Sequence, residues 1–178
     1  MTGEAGKSNA WRLKEKHMKE LILIRHGKSS WDYDVADKDR PLKERGIQDG
    51  HLVARKVKPD FPRPDAVFSS PANRALHTCM ILMRGLDLPF ELLTVTDALY
   101  DFSGSSVAGF VAGLDNRLQR VLLFGHNHAF THLANTWGDQ SIDNVPTTGL
   151  VHLRFGESRW EEVATGKTLY TVFPKHLK

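Results

Sequence analysis

One cysteine, Cys79, is all that the 178 residues contain. A lone cysteine excludes an intrachain disulfide and is compatible with a reducing cytoplasm, where the chain is expected to act. Cys79 falls in the apolar stretch 75–82, which predicts a buried structural thiol rather than a nucleophile. Long hydrophobic runs are also missing. No stretch approaches the ~18 apolar residues of a membrane span, and the N-terminus has no apolar core of the kind a secretory signal needs. A surplus of charge of one sign is missing too: 24 Lys and Arg stand against 21 Asp and Glu, a net of +3. Lys7, Arg12, Lys14, Lys16 and Lys19 against Glu4, Glu15 and Glu20 account for +2 of it within the first twenty residues. The remainder is close to neutral, so no broad nucleic-acid footprint is expected. A small anionic substrate needs only a local basic pocket. There is no internal repeat and no low-complexity segment.

What is present suits one soluble domain. Hydrophobic residues make up 40% of the chain and charged residues 25%, and a chain of this length buries a full core without staples. Residues 1–18 are polar and read as a flexible N-terminal tail; 19–178 read as a single catalytic domain. The apolar run Leu21-Ile22-Leu23-Ile24 ends in Arg25-His26-Gly27, a strand about 20–25 that stops at a loop. The loop from Ser29 to Arg40 carries Asp32, Asp34, Asp37 and Asp39 without the Gly and distant Glu of a calcium loop, and reads as solvated. Helical spacing follows over about 43–56, then a Pro-rich connector. Residues 66–70 read as a second strand, with Pro71 suited to the first turn of the next helix. That helix carries Arg74 on its first turn, where a cation opposes the helix dipole unless an anion is held beside it. Residues 92–95 read as a third strand. Ser105 is expected to cap a helix running to about Leu118. The strand 120–124 delivers Gly125-His126-Asn127, and 130–137 reads as a helix. Two strands, 147–155 and 160–164, are expected to be joined by a tight turn at Gly156-Glu157-Ser158. Strands alternating with helices predict a three-layer α/β/α sandwich with a largely parallel central sheet and an antiparallel edge.

Three strand ends therefore carry chemistry: Arg25-His26-Gly27, Ser69-Ser70-Pro71 with Arg74, and Gly125-His126-Asn127. Ligands bind at the carboxyl ends of strands in open α/β sheets. Arginine forks hydrogen bonds onto phosphate oxygens, and a neutral histidine serves as nucleophile or proton carrier near neutral pH.

The segments RHGKSSW, DRPLKERG, SSPANRALHT and VLLFGHN, in this order, resemble those of the histidine phosphatase superfamily (phosphoglycerate mutase-like, branch 1). The form RHGKSSWD and the short length are closest to the small SixA-type phosphohistidine phosphatases. The resemblance implies that His26 is the nucleophile that becomes phosphohistidine. It implies that Arg25 and Arg74 bind phosphate, and that His126, protonated, hydrogen-bonds the phosphoryl oxygens. A backbone acceptor on the other ring N–H of His26 is expected to set its tautomer. Many relatives carry a glutamate as general acid where this chain has none. Asp101 is the best positional match and Asp97 the second, with a turn- or helix-capping role for Asp101 the alternative. Lack of the glutamate tilts the substrate toward phosphohistidine or an aryl phosphate, whose leaving groups need a proton less than an alkoxide does. Lys28 and Asn127 are candidate substrate-binding residues. Ser29 is expected to shape the loop, and Arg40 to line the pocket mouth or lie exposed. His51, His77, His152 and His176 are read as structural or surface residues. A phosphorylated protein or small phosphorylated molecule is the implied partner, and no cofactor, nucleic acid, membrane or second copy is expected.

The rival readings are a metal hydrolase using His126, His128 and His132, a phosphomutase of the same superfamily, and an idle phospho-binding module. The metal reading leaves Arg25, His26 and Arg74 without a task. The mutases are usually longer, with helical insertions around the site.

Overall fold

The computed structural model describes residues 18–178. The expected tail, 1–18, lies outside them but for Met18. Six strands form one sheet in the order β3-β2-β4-β1-β5-β6. They are β1 (Lys19–Arg25), β2 (Ala66–Ser69), β3 (Leu93–Val95), β4 (Arg120–Gly125), β5 (Leu150–Phe155) and β6 (Lys167–Val172). The pairs β1–β4, β2–β4 and β2–β3 are parallel, while β1–β5 and β5–β6 are antiparallel. The largely parallel sheet with an antiparallel edge is as expected.

Helices cover both faces, which explains why β1 is apolar at every position from Leu21 to Ile24 instead of alternating. Leu21 and Leu23 pack on one side with Val107 and Val111 of α3 (Ser105–Ala112) and Phe130 and Leu133 of α4 (Ala129–Trp137). Ile22 and Ile24 pack on the other with Val53 and Val57 of α1 (Glu44–Val57) and Cys79 and Leu82 of α2 (Asn73–Gly85). Cys79 is fully buried, and desolvation pushes its thiol up to about 12. The helices on both faces complete the three-layer sandwich.

Three local expectations are corrected. The helix from Ser105 ends at Ala112, well short of Leu118. The carbonyls of Asn116 and Leu118 instead accept hydrogen bonds from the buried Lys19 Nζ, both at 2.7 Å, and Trp160 Nε1 also donates to Leu118 O at 2.9 Å. That anchorage also explains the second correction: residues 160–162 form a 3-10 turn with Trp160 buried, not a strand. The partner of β5 is β6, after a longer connection. Pro71 lies before the N-cap Ala72, outside the first turn of α2.

At the amino end of β1, Glu20 is buried among Arg120, Arg154 and His152. Burial would raise its pKa, but the neighbouring His152 and hydrogen bonds from Arg154 and Arg120 hold it at about 2. The phosphate-type residues gather at the opposite end.

Candidate active site

Parallel β1, β2 and β4 bring His26, Ser70 and His126 to one edge, because each residue directly follows or closely trails the last strand position. The arrangement needs glycine at Gly27 and Gly46. A Cβ on Gly27 would lie 3.0 Å from the Gly46 carbonyl oxygen, and one on Gly46 would collide with the Lys28 carbonyl oxygen. The first turn of α1 thus packs backbone to backbone against the loop after β1. The Lys43 N–H donates to Lys28 O at 2.8 Å and fastens the same contact.

His26 is buried, and its Nδ1 is 2.8 Å from the carbonyl oxygen of Gly27. A carbonyl only accepts, so Nδ1 carries the proton and Nε2 is left bare. Desolvation pulls the pKa of His26 down to about 3 against the raising effect of that hydrogen bond, and His126, Arg74 and Arg25 add to the lowering. The expected backbone acceptor is present, and the ring is neutral.

His126 has no exposure to solvent. Its ring centroid is 5.2 Å from that of His26, and its Nε2 is 2.8 Å from Ser70 Oγ. Phe102 packs on it at 5.0 Å and Tyr100 edge-on at 5.4 Å. Desolvation and then Arg74 lower its pKa to about 3. Burial and the neighbouring arginines thus disfavour the charged form of this ring.

Arg25 donates from Nη1 to Val145 O at 2.9 Å. Arg74 is 2% exposed, with Nη1 donating to Asp37 O at 2.6 Å and Nη2 to Asp37 Oδ2 at 2.9 Å. The anion needed beside a cation on a first helical turn is thus a carboxylate of the chain itself. Buried Arg25 Nε, His126 Nδ1 and Thr148 Oγ1 have no hydrogen-bond partner. Unpaired buried polar atoms are uncommon, and these three belong to residues at the same strand ends.

Arg25, His26, Lys28, Arg74 and Asp37 line a cleft of about 290 Å³. Lys28 is exposed there. Arg40 is buried instead of lying free: Nε donates to Ser30 O, Nη2 to Ser29 Oγ and Nη1 to Asp37 Oδ1, while Trp31 stacks 3.3 Å above the guanidinium. Ser29 shapes the loop as expected. Asn127 is engaged locally, donating to Asn144 Oδ1 and accepting from Thr131 N and Oγ1.

Asp101 accepts the N–H groups of Ser103, Gly104 and Val107 and the Ser103 hydroxyl. It caps α3, the task expected of Ser105. Gly104 adopts φ 110°, a conformation open to glycine, to close this cap. Burial would raise the pKa of Asp101, but those donors take it below the ordinary value. Asp97 lies at the surface, 3.7 Å from Lys38 Nζ. Of the rival metal ligands, His128 and His132 are exposed. Among the described residues no three or more His, Cys, Asp or Glu side chains are placed to share a metal ion.

Sequence reasoning placed Ser70 at one of the three strand ends without a partner, and missed Asp37, Tyr100, Phe102 and Thr148 as site residues. Thr148 has φ 59°, and its N–H donates to the carbonyls of both Arg25 and His26 at 3.1 Å. A non-glycine residue held in that region is strained, and here it braces the turn that carries the nucleophile candidate. The alternating aspartates flagged the loop of Asp37, but nothing local tied it to Arg74.

The model of the histidine phosphatase superfamily (branch 1) matches residues 21–103. An uncharacterized protein of Mycobacterium tuberculosis is 28% identical over 153 residues, covering 80% of this chain and 93% of that one. A 2,3-bisphosphoglycerate-dependent phosphoglycerate mutase of Chelativorans is 36% identical over 80 residues, 43% of this chain and 38% of that one. Among solved structures, the protein histidine phosphatase SixA complexed with tungstate superposes with a TM-score of 0.76 at 22% identity, covering 89% of this chain and 99% of that one. The fold is therefore phosphoglycerate mutase-like. The match to the histidine phosphatase superfamily, branch 1, spans just under half of the chain and includes the Arg-His-Gly strand end and Arg74, on a fold shared with the SixA structure.

Proposed function

We propose that this protein is a phosphatase that works through a phosphohistidine at His26. The observation that carries the reading is the Nδ1 contact to the Gly27 carbonyl, which leaves a bare Nε2 on a cleft-lining ring kept neutral by burial. The Nε2 lone pair forms a bond to phosphorus while the bond from phosphorus to the leaving group breaks. Water then attacks the phosphohistidine, the P–N bond breaks, phosphate departs and one proton is released. Arg25 and Arg74 supply positive charge for the phosphoryl oxygens, which is most of what phosphoryl transfer asks of a protein. The unpaired Arg25 Nε and His126 Nδ1 are further donors or partners for those oxygens. His126 takes up a proton once an anion offsets the neighbouring cations.

Asp101 reads as a cap, not as the acid, because a carboxylate holding four donors has no proton to give. This favours substrates whose leaving group departs without strong protonation, such as phosphohistidine on a protein or an aryl phosphate, over alkyl phosphates. Phosphate release from both substrates in excess chelator tests the reading. Release is expected in both, with Arg74→Ala losing at least about 100-fold of the rate, the scale on which misplaced groups act. Release only after a metal ion is added back would contradict it.

A further inference from the structure

Asp37 is where the loop after β1 meets the rest of the cleft. Residues 31–39 are all exposed, so apolar burial does not hold this loop. Polar contacts do, and most converge on one residue. The Asp37 carboxylate accepts from Arg74 Nη2 at 2.9 Å, Arg40 Nη1 at 3.2 Å and the Tyr100 hydroxyl at 2.5 Å. Its main-chain carbonyl accepts a second bond from Arg74 at 2.6 Å. The donors come from α2, from the turn between β3 and α3 and from the segment preceding α1. Arg40 is itself immobilised by Ser29, Ser30 and the Trp31 ring.

We propose that Asp37 is the positioning residue for Arg74, and that Arg40 and Tyr100 hold Asp37 in place for that task. Arg74 reaches the cleft on a long side chain with many rotamers. It has five N–H donors in a rigid fork, and two of them are fixed by Asp37 through both side chain and backbone. A guanidinium gripped at two points offers its remaining donors in one orientation. A phosphoryl group meeting it finds the geometry already set, and avoids the ordering cost that a free arginine would add. The opposite reading makes Asp37 a built-in anion that competes with phosphate for Arg74. The carbonyl contact speaks against it, because a substrate displacing the carboxylate would still leave Arg74 bound to the turn.

The proposal rests on the phosphatase reading for its purpose, so the test reads anion binding as well as turnover. Tungstate affinity and phosphate release would be measured for the natural chain, Asp37→Asn, Arg74→Ala and the double variant, with Tyr100→Phe as a milder disturbance and thermal melting as a check of folding. Asp37→Asn is expected to weaken tungstate binding and kcat/KM by about 10- to 100-fold, with Tyr100→Phe between it and the natural chain. Asp37→Asn made on top of Arg74→Ala is expected to cost nothing further, since its effect passes through that side chain. Tighter tungstate binding in Asp37→Asn would show a competitor and overturn the proposal. Independent, multiplying losses in the double variant would overturn it as well. A natural chain that binds tungstate without releasing phosphate would count against the phosphatase reading alone, while the binding series still decides the role of Asp37.

Discussion

At the scale of single residues, two neutral histidines and one capping carboxylate make measurable demands. His26 and His126 are each held at about 3, below the ordinary histidine value near 6.5. Between those values the unfolded chain binds two protons that the folded chain refuses, so stability falls as pH drops from about 6.5 toward 3. Denaturant midpoints at pH 7 and pH 4.5 should show this loss, and it should shrink when both histidines are replaced by glutamine. An unchanged slope in that double variant would mean the two rings are not the cause. Asp101→Ala removes the acceptor of four donors and is expected to cost about 0.5–2 kcal/mol, as loss of a helix cap does. Its pH–rate profile should keep the natural shape; loss of an acidic or basic limb would restore Asp101 as a proton donor.

At the scale of elements, what was legible from sequence alone was the chemistry borne on strand ends. β1, β2 and β4 are short apolar runs bounded by glycine, serine or proline, and each delivers its polar residues without help from distant partners. Tertiary contacts hid the rest. β6 escaped notice because Trp160 and its neighbours look more like a strand than they are, and only their anchorage on residues 116–118 pushes the pairing on to 167–172. The shortened α3 has the same cause. Asp37 was hidden by distance, since its partners lie 37 and 63 positions away. The contact of Gly27 with Gly46 was legible only as two glycines in family-like segments; the geometry supplies the reason. Gly46→Ala would drive a methyl against the Lys28 carbonyl. A destabilisation of about 1–3 kcal/mol is expected from such overpacking, together with a lower rate, because the displaced backbone bears the site. A variant as stable and active as the natural chain would show that α1 can shift freely.

At the scale of the whole molecule, the sheet separates structure from chemistry. The amino end of β1 carries the buried Glu20, held by Arg120 and Arg154 beside His152. The carboxyl end carries a cleft whose walls come from the loop after β1, from Arg74 of α2, and from Phe102 and Thr147. At that end Arg25 Nε, His126 Nδ1 and Thr148 Oγ1 are buried without a hydrogen-bond partner. Transfer of the phosphoryl group to His26 Nε2 is best tested by trapping the phosphoenzyme. The protein would be mixed briefly with a phosphoryl-labelled substrate, denatured in alkali and digested, and the labelled peptide identified. An acid-labile, alkali-stable label is expected on His26 and absent from His26→Ala, with phosphate release abolished in that variant. Label on another residue, or full phosphate release by His26→Ala, would contradict it.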